Sequence, residues 1–576
     1  MRTVHFTQDR TSCWHSATAK LNEQSGREFW QTFKKLTGEG RKPAAAPKLL
    51  KADGTTTSGP TEAANHFAQS LHKIHQMHTG PQFATETEDK VKESMLKSQK
   101  ILRPIFPASN SEEDNEEQAW LYEAVTEDEI KQALKKSKNT SAPGRDGIKY
   151  AVLKNLPPIA TGNLASIYTA CLKSGYFPSR WKSAIGVMIP KPGKKHNLAT
   201  NFRPISLLNT MGKTLERIIT QRLHLFLLEN HPINRWQKAY QQAKEGTEIL
   251  YRIAEEMKIS KESKNVTALV SLDVEKAFDT VWHQGLLYKL AELKLPPKTL
   301  CLIASFLNNR TISVKVADAI SAPTTLQAGT PQGSVLSPLL YLLYVNDMPL
   351  EDPRTRAGQF ADDLSLWTTA TTKARATIRL QKPLKQIEDF CNRWKIKINV
   401  QKTQFLLTSR KKESSKHTLM MEKLPIQPTP TAKILGVTFN RTTSYKEHCS
   451  NKASEANRRI NLLRKLAGQR WGANRNTLLK LYKQYIRPAL EYAAVAIAEA
   501  PPHAITKMEV AERYALRVAT HTPMGTLKEN LYKKAQITPL RERLIKLREK
   551  TIARFDSEAT DIKAIKKLRE AAEWWK

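Results

Sequence analysis

The chain runs to 576 residues, 40% of them hydrophobic, so it is globular, with room for more than one domain and ample core. Lys and Arg total 92 against 55 Asp and Glu, a formal net charge of +37 spread over most of the chain. A generic soluble enzyme does not need that excess, which points away from small neutral substrates and towards a polyanion such as nucleic acid.

Five widely spaced cysteines, Cys13, Cys171, Cys301, Cys391 and Cys449, form no C-x-x-C pair. That excludes a zinc finger or knuckle of the usual spacing and argues for a reducing compartment. No apolar run approaches the roughly 20 residues that cross a bilayer, so no membrane is expected. The opening MRTVHFTQDRTSCWHSATAK lacks an apolar signal core and reads as an internal fragment or truncated product.

Residues 36–62, rich in Gly, Pro, Thr and Lys, read as a linker, and ASNSEEDNEEQ at 108–118 as a solvated acidic loop. Periodicity then sets in, without internal repeats. VTALVSLDVEKAF starts as a β-branched strand from Val266 to Leu272 and meets Asp273 at its end. DTVWHQGLLYKLAELKL reads as a helix, with Leu286, Leu290 and Leu293 on one stripe, and TISVKV at 311–316 alternates as a strand. QGSVLSPLLYLLYVNDM is a loop entering a buried helix, with Pro338 in its first turn. GQFADDLSLW, from Gly358 to Trp367, reads as a hairpin with Asp362 and Asp363 at its tip. An amphipathic helix follows, carrying Leu380, Leu384, Ile387, Cys391 and Trp394, and KINVQKTQFLLT closes with another strand. The break SRKKESSKHT at 409–418 precedes a largely helical tail from about residue 444. There Ala456, Ile460, Leu463 and Ala467 share a face opposite Arg458 and Lys465, either a nucleic-acid grip or an ordinary amphipathic helix.

Strand, helix, hairpin, helix, strand is a split βαβ order, which brings Asp273 beside Asp362. Alone, an Asp pair is a common turn and Asp273 a common helix N-cap. Together, three clustered carboxylates repel, and burial raises their pKa values unless a cation offsets the charge. Oxygen ligands of this kind suit Mg²⁺. Two ions roughly 3.5–4 Å apart, held by Asp273 and Asp362 with the Val274 carbonyl, would give the chemistry of nucleotidyl transfer.

The ordered blocks SLDVEKAFDTV, GTPQGSVLSPLLYLLYVND, FADD and NVQKTQFLLTS resemble reverse transcriptases of non-LTR retrotransposons, nearest to the jockey-like mobile elements. SAPGRDGIKY, WKSAIGVMIPKPGKK and NFRPISLLNTMGKTLERII resemble the fingers of those enzymes, and LLKLYKQYIRPALEYAAV and ITPLRERL their thumb and following segment. The resemblance implies an α+β right-hand polymerase with fingers, a split-βαβ palm with an antiparallel sheet, and a helical thumb. It implies an N-terminal helical and linker extension over 1–119, fingers over 120–260, and a fingers-and-palm core over 170–440. The thumb and following segment take 441–545, and a basic helical tail 546–576. By the same resemblance Asp273 and Asp362 are the main metal ligands and Asp363 the accessory carboxylate, with two Mg²⁺, or Mn²⁺ in their place. Lys402 protonates the leaving pyrophosphate. Phe278 is the gate that rejects a ribose 2′-OH, and core packing is its plainer role. Gln332 and Gly333 line the nucleotide and template, where glycine permits close backbone approach. Lys191 and Arg203 hold the triphosphate or are solvated charges.

The implied partners are an RNA template, a DNA primer or target and dNTPs, in a cytoplasmic ribonucleoprotein with nuclear action. Many relatives carry Gln-x-Gly-Phe-Arg where this chain has QKAYQQ at 237–242. No N-terminal endonuclease or ribonuclease H segment is recognisable. Two rival readings stand beside an active RNA-directed DNA polymerase: a non-catalytic RNA-binding scaffold on the same fold, and a maturase-like enzyme on the same palm.

Overall fold

The computed structural model describes residues 16–38, 46–76, 83–102, 116–230, 233–241, 244–408, 417–468 and 472–556. The chain's opening, most of the acidic run at 108–118, most of the break at 409–418 and the tail beyond 556 lie outside the described residues.

Four strands form an antiparallel sheet in the order β7-β8-β3-β9. They are β3 (Val266–Asp273), β7 (Arg356–Phe360), β8 (Asp363–Ala370) and β9 (Gln404–Leu407). β3 lies between β8 and β9, as the split βαβ order requires. Alternation along β3 serves two cores: Ala268, Val270 and Leu272 enter one, and Leu269 enters the other beside Trp367 and Leu406. The first core is closed by the helix Lys373–Arg393 through Leu380, Leu384, Ile387 and Cys391. The second is closed by the helix Gly246–Glu262 through Ile249, Leu250, Ile253 and Met257. A sheet covered on both faces makes β3 a largely apolar run, interrupted by Thr267 and Ser271 and charged only at its end, Asp273.

A second sheet holds β1 (Ser183–Pro190), β2 (Phe202–Leu207), β4 (Arg310–Val316), β5 (Ala319–Ile320) and β6 (Thr324–Leu326). β4 is the expected 311–316 strand, but its neighbour β1 runs parallel to it from over a hundred residues upstream. The expected helix at 279–295 is shorter, His283–Glu292: a turn over 275–279, closed by Asp279 N donating to the Lys276 carbonyl at 2.8 Å, precedes it. The closing strand is also shorter than expected. Asn399 accepts from the Lys402 N–H at 3.1 Å, and its local turn replaces ladder pairing until Gln404.

Two short hairpins follow: β10 (Leu419–Met421) with β11 (Leu424–Ile426), and β12 (Thr431–Ile434) with β13 (Val437–Asn440). The rest is helical, from Lys446–Arg464 to Leu540–Asp556. Ala456, Ile460 and Leu463 are buried and Arg458 and Lys465 exposed, which is the two-faced pattern of the sequence.

The N-terminal segments pack on three different parts. Phe29 and Phe33 of Gly26–Thr37 enter the helical core, where Phe33 meets Tyr485 at 5.1 Å. Phe67 of Pro60–Ile74 packs on Phe202 of β2 at 4.9 Å. Glu88 of Thr85–Leu102 takes the Lys395 ammonium at 2.6 Å.

Candidate active site

β3 ends on Asp273 and β8 begins on Asp363, and the register places these two directly opposite each other. Asp362 precedes Asp363 at the hairpin tip, after Ala361 in the left-handed region at φ 57°. All three carboxylates act on one another. Burial, then repulsion from Asp273, pushes Asp362 above its ordinary range, while the Arg203 guanidinium opposes the shift. Burial together with Asp362 and Asp273 pushes Asp363 up to about 6. Both carboxylates nevertheless reach solvent, so a ligand can approach them.

One cation already stands in the site: Lys402 Nζ lies 3.0 Å from Asp273 Oδ2. Backbone pairing fixes that contact, since Asn399 N donates to the Asp273 carbonyl at 2.8 Å and Val274 bridges Ile398. Among the described residues no three His, Cys, Asp or Glu side chains converge into a closed cage for an ion. An open pair of strand-end carboxylates still fits Mg²⁺, which takes one or two protein carboxylates and completes its shell with water and substrate phosphates. Mutual repulsion, shifted acids and an ammonium ion on Asp273 mark the place as one that a divalent cation would stabilise.

The remaining predicted residues surround this point. Lys191 follows β1, and its ammonium donates to the Thr200 carbonyl at 2.8 Å. Burial, with Arg203 and Lys402 nearby, holds Lys191 below its ordinary range, so these cations share one space. Arg203 lies across from Ile189 in the β1–β2 hairpin and is exposed. Phe278 is half-buried, 4.7 Å from the Tyr341 ring and 6.2 Å from Tyr240 in an edge-on pairing. Gln332 donates from Nε2 to Asp279 Oδ1 at 2.7 Å. At Gly333, φ 127°, a Cβ would fall 2.5 Å from the Ser206 carbonyl. The close approach this glycine permits in the fold is therefore to β2, where the Gln332 carbonyl also accepts from Ser206 N at 2.7 Å.

Two supports were not legible in the sequence. In QKAYQQ, Gln237 is buried, and its Oε1 accepts from Ala361 N at 3.0 Å, holding the turn that presents Asp362. Residues 236–238 extend the sheet edge, with Gln359 N donating to Trp236 O and Lys238 N to Gln359 O. Tyr240 then reaches Phe278. The second support is His75, from the N-terminal segment. Its Nε2 lies 3.7 Å from Asp279, and its carbonyl accepts from Ala328 N at 2.9 Å, so it sits beneath the loop that carries Gln332.

Residues 189–439 match the family model described as reverse transcriptase (RNA-dependent DNA polymerase). The chain carries a reverse transcriptase domain. That domain contains every predicted site residue, from Lys191 to Lys402. The probable RNA-directed DNA polymerase from transposon BS of Drosophila melanogaster is 28% identical over 92% of this chain and 57% of its own length. The RNA-directed DNA polymerase from mobile element jockey of Drosophila funebris is 30% identical over 75% of this chain and 48% of its own. The chain thus spans about half the length of the curated relatives it matches. Among solved structures, an apo telomerase from Candida tropicalis aligns over 72% of this chain and 74% of its own, at 12% identity and a TM-score of 0.34.

Proposed function

We propose that the chain is the RNA-directed DNA polymerase of a non-LTR retrotransposon, joining dNTPs to a primer 3′-hydroxyl along an RNA template. The observation that carries this reading is the Asp273–Asp363 strand pairing with Asp362 at its tip, inside a reverse transcriptase domain. In this reading the β7-β8-β3-β9 sheet is the palm, the β1–β2 sheet belongs to the fingers, and the helices from Lys446 are the thumb.

Asp273 and Asp362 would hold two divalent cations, with Asp363 and the Val274 carbonyl as accessory groups. Bound there, Mg²⁺ supplies the charge that activates the primer hydroxyl and offsets the leaving pyrophosphate. Lys402 exchanges its place on Asp273 for the pyrophosphate and gives it a proton at the departing oxygen. Arg203 and Lys191 grip the triphosphate, Arg203 in the better geometry for two parallel hydrogen bonds. Phe278, backed by Tyr341 and Tyr240, fills the volume a 2′-hydroxyl would need. Gln332, anchored on Asp279, lines the nucleotide. Cytoplasmic assembly with the RNA and action in the nucleus belong to the same reading.

The scaffold alternative rests on the departing QKAYQQ block and the absent nuclease; against it stand the three clustered carboxylates, and Gln237 of that block still accepts from Ala361 N beside Asp362. Primer extension on an RNA template with dNTPs and Mg²⁺ tests the proposal. Extension that stops when the template or the metal is withheld is expected. Tight RNA binding without extension would replace the enzyme with the scaffold.

A further inference from the structure

His75 ends the helix Pro60–Ile74, its N–H donating to the Leu71 carbonyl at 2.9 Å. Phe67 and Leu71 of that helix share a buried cluster with Phe202, Ile312 and Leu326 of the second sheet, which fixes where the helix ends. His75 is 4% exposed and lies well upstream of the matched residues 189–439.

On one side His75 holds the loop that leads from β6 to the helix Ser337–Tyr344. Its carbonyl accepts from Gln327 N at 3.2 Å and Ala328 N at 2.9 Å, and its Nδ1 meets the Ala328 carbonyl at 3.1 Å. A carbonyl only accepts, so Nδ1 is the donor there. On the other side Nε2 lies 3.7 Å from Asp279 Oδ1, the same oxygen that accepts from Gln332 Nε2 at 2.7 Å. Asp279 is 5% exposed. Burial lifts its acid above the ordinary range, and His75 and Gln332 oppose that shift most, ahead of Lys276 and Lys191. A buried carboxyl is costly unless such partners meet it.

The loop is also pressed against the turn that carries Phe278 and Asp279. Thr330 N donates to the Phe278 carbonyl at 2.7 Å and Gly329 N to the Val281 carbonyl at 2.9 Å. A Cβ on Gly329, φ 85°, would fall 2.3 Å from the Asp279 carbonyl oxygen, so the two segments touch through backbone. The Gln332 side chain is thus anchored on Asp279, and Asp279 on His75. We infer that His75 is a positioning residue for the incoming nucleotide, acting from outside the reverse transcriptase domain through Asp279 to fix the Gln332 amide.

The inference rests on the polymerase reading, in which Gln332 lines the nucleotide, so the test measures nucleotide binding apart from extension. A gel-shift titration with the complementary dNTP uses the chain on an RNA template whose primer ends in a dideoxynucleotide; kcat and KM follow from an ordinary primer. In His75→Asn the amide takes the place of Nδ1, keeping the Ala328 contact and losing the one to Asp279. It is expected to raise the dNTP Kd and KM roughly tenfold and to leave kcat within about threefold, with duplex affinity unchanged. His75→Gln, whose amide reaches the place of Nε2, should recover most of the loss. On a Gln332→Ala background His75→Asn should cost less than about twofold more, because the group it positions is already gone. The same tenfold loss on both backgrounds would overturn the relay. A lower melting temperature with natural dNTP affinity would make His75 a helix cap only and overturn it too. Asp279→Leu cuts the relay from within the domain and covers the case in which His75→Asn does not fold; natural dNTP affinity there also overturns it. A chain that shows the predicted losses in dNTP binding yet never extends an ordinary primer would sink the catalytic reading and leave the relay standing.

Discussion

Asp363 faces Asp273 across the sheet and adjoins Asp362, and its acid is lifted to about 6 from an ordinary 3.8. Between about 4 and about 6 the folded chain keeps a proton that the unfolded chain has released. This group's contribution to stability is therefore present below about pH 4 and lost as pH rises through about 6. A divalent cation binds the deprotonated form and should restore that loss. Mg²⁺ is thus expected to raise the melting temperature at about pH 8 and to have little effect at about pH 5. Asp363→Asn should flatten the decline between. A Mg²⁺ response that is the same at both pH values would contradict the shared charge at this site. Phe278 invites a second test at the same scale. Its ring is held between Tyr341 and Tyr240, and Phe278→Ala should cut the preference for dNTPs over rNTPs, measured as a ratio of kcat/KM, by roughly 10- to 100-fold. Unchanged sugar selectivity would leave Phe278 as core packing against Tyr341.

At the scale of elements, the helical region is fastened at Glu512 of Pro502–Thr520. Fully buried, it accepts from Tyr482 Oη at 2.7 Å, Tyr532 Oη at 2.8 Å and Leu540 N at 2.9 Å. Three helical segments, one of them the π-helical turn Tyr482–Ile486, thus share one acceptor. Glu512→Ala strands those donors, and urea unfolding should show a loss on the order of 3 kcal/mol, with Glu512→Gln milder. A loss below about 1 kcal/mol would mean that water replaces the carboxylate. In the sequence KMEVAERYA this residue looks like any solvated helical glutamate, because its partners lie about 20 to 30 residues away. The elements that were legible owe their form to local period. Examples are β3 with its β-branched run, the helix Lys373–Arg393 with its apolar stripe, and the Asp-Asp hairpin. What the period could not supply is partnership. β4 reads as a strand, yet its place beside β1 depends on a parallel pairing across all the strands and helices that lie between them in the chain. Asp273, Asp362 and Asp363 were legible because topology brings strand ends together, whereas Gln237 and His75 act through tertiary hydrogen bonds that leave no pattern in the sequence.

Over the whole molecule, the N-terminal segments join parts that the chain order keeps separate. Phe33 lies in the helical core, Phe67 against the β1–β2 sheet and Glu88 beside the helix that covers the β7-β8-β3-β9 sheet. The chain as a whole carries a net charge of +37, which suits the proposed binding of nucleic-acid backbone. Binding and chemistry should therefore separate cleanly, because the charge is distributed and the carboxylates are local. The measurement that tests the central claim most directly is single-turnover extension of a primer on an RNA template with dNTPs and Mg²⁺, by the natural chain and by Asp362→Asn. Duplex affinity is measured on the same preparations. The natural chain should extend the primer, and Asp362→Asn should bind within a few-fold of it and add no nucleotide. Extension by Asp362→Asn at the natural rate would contradict the assignment of the metal site and with it the proposed chemistry.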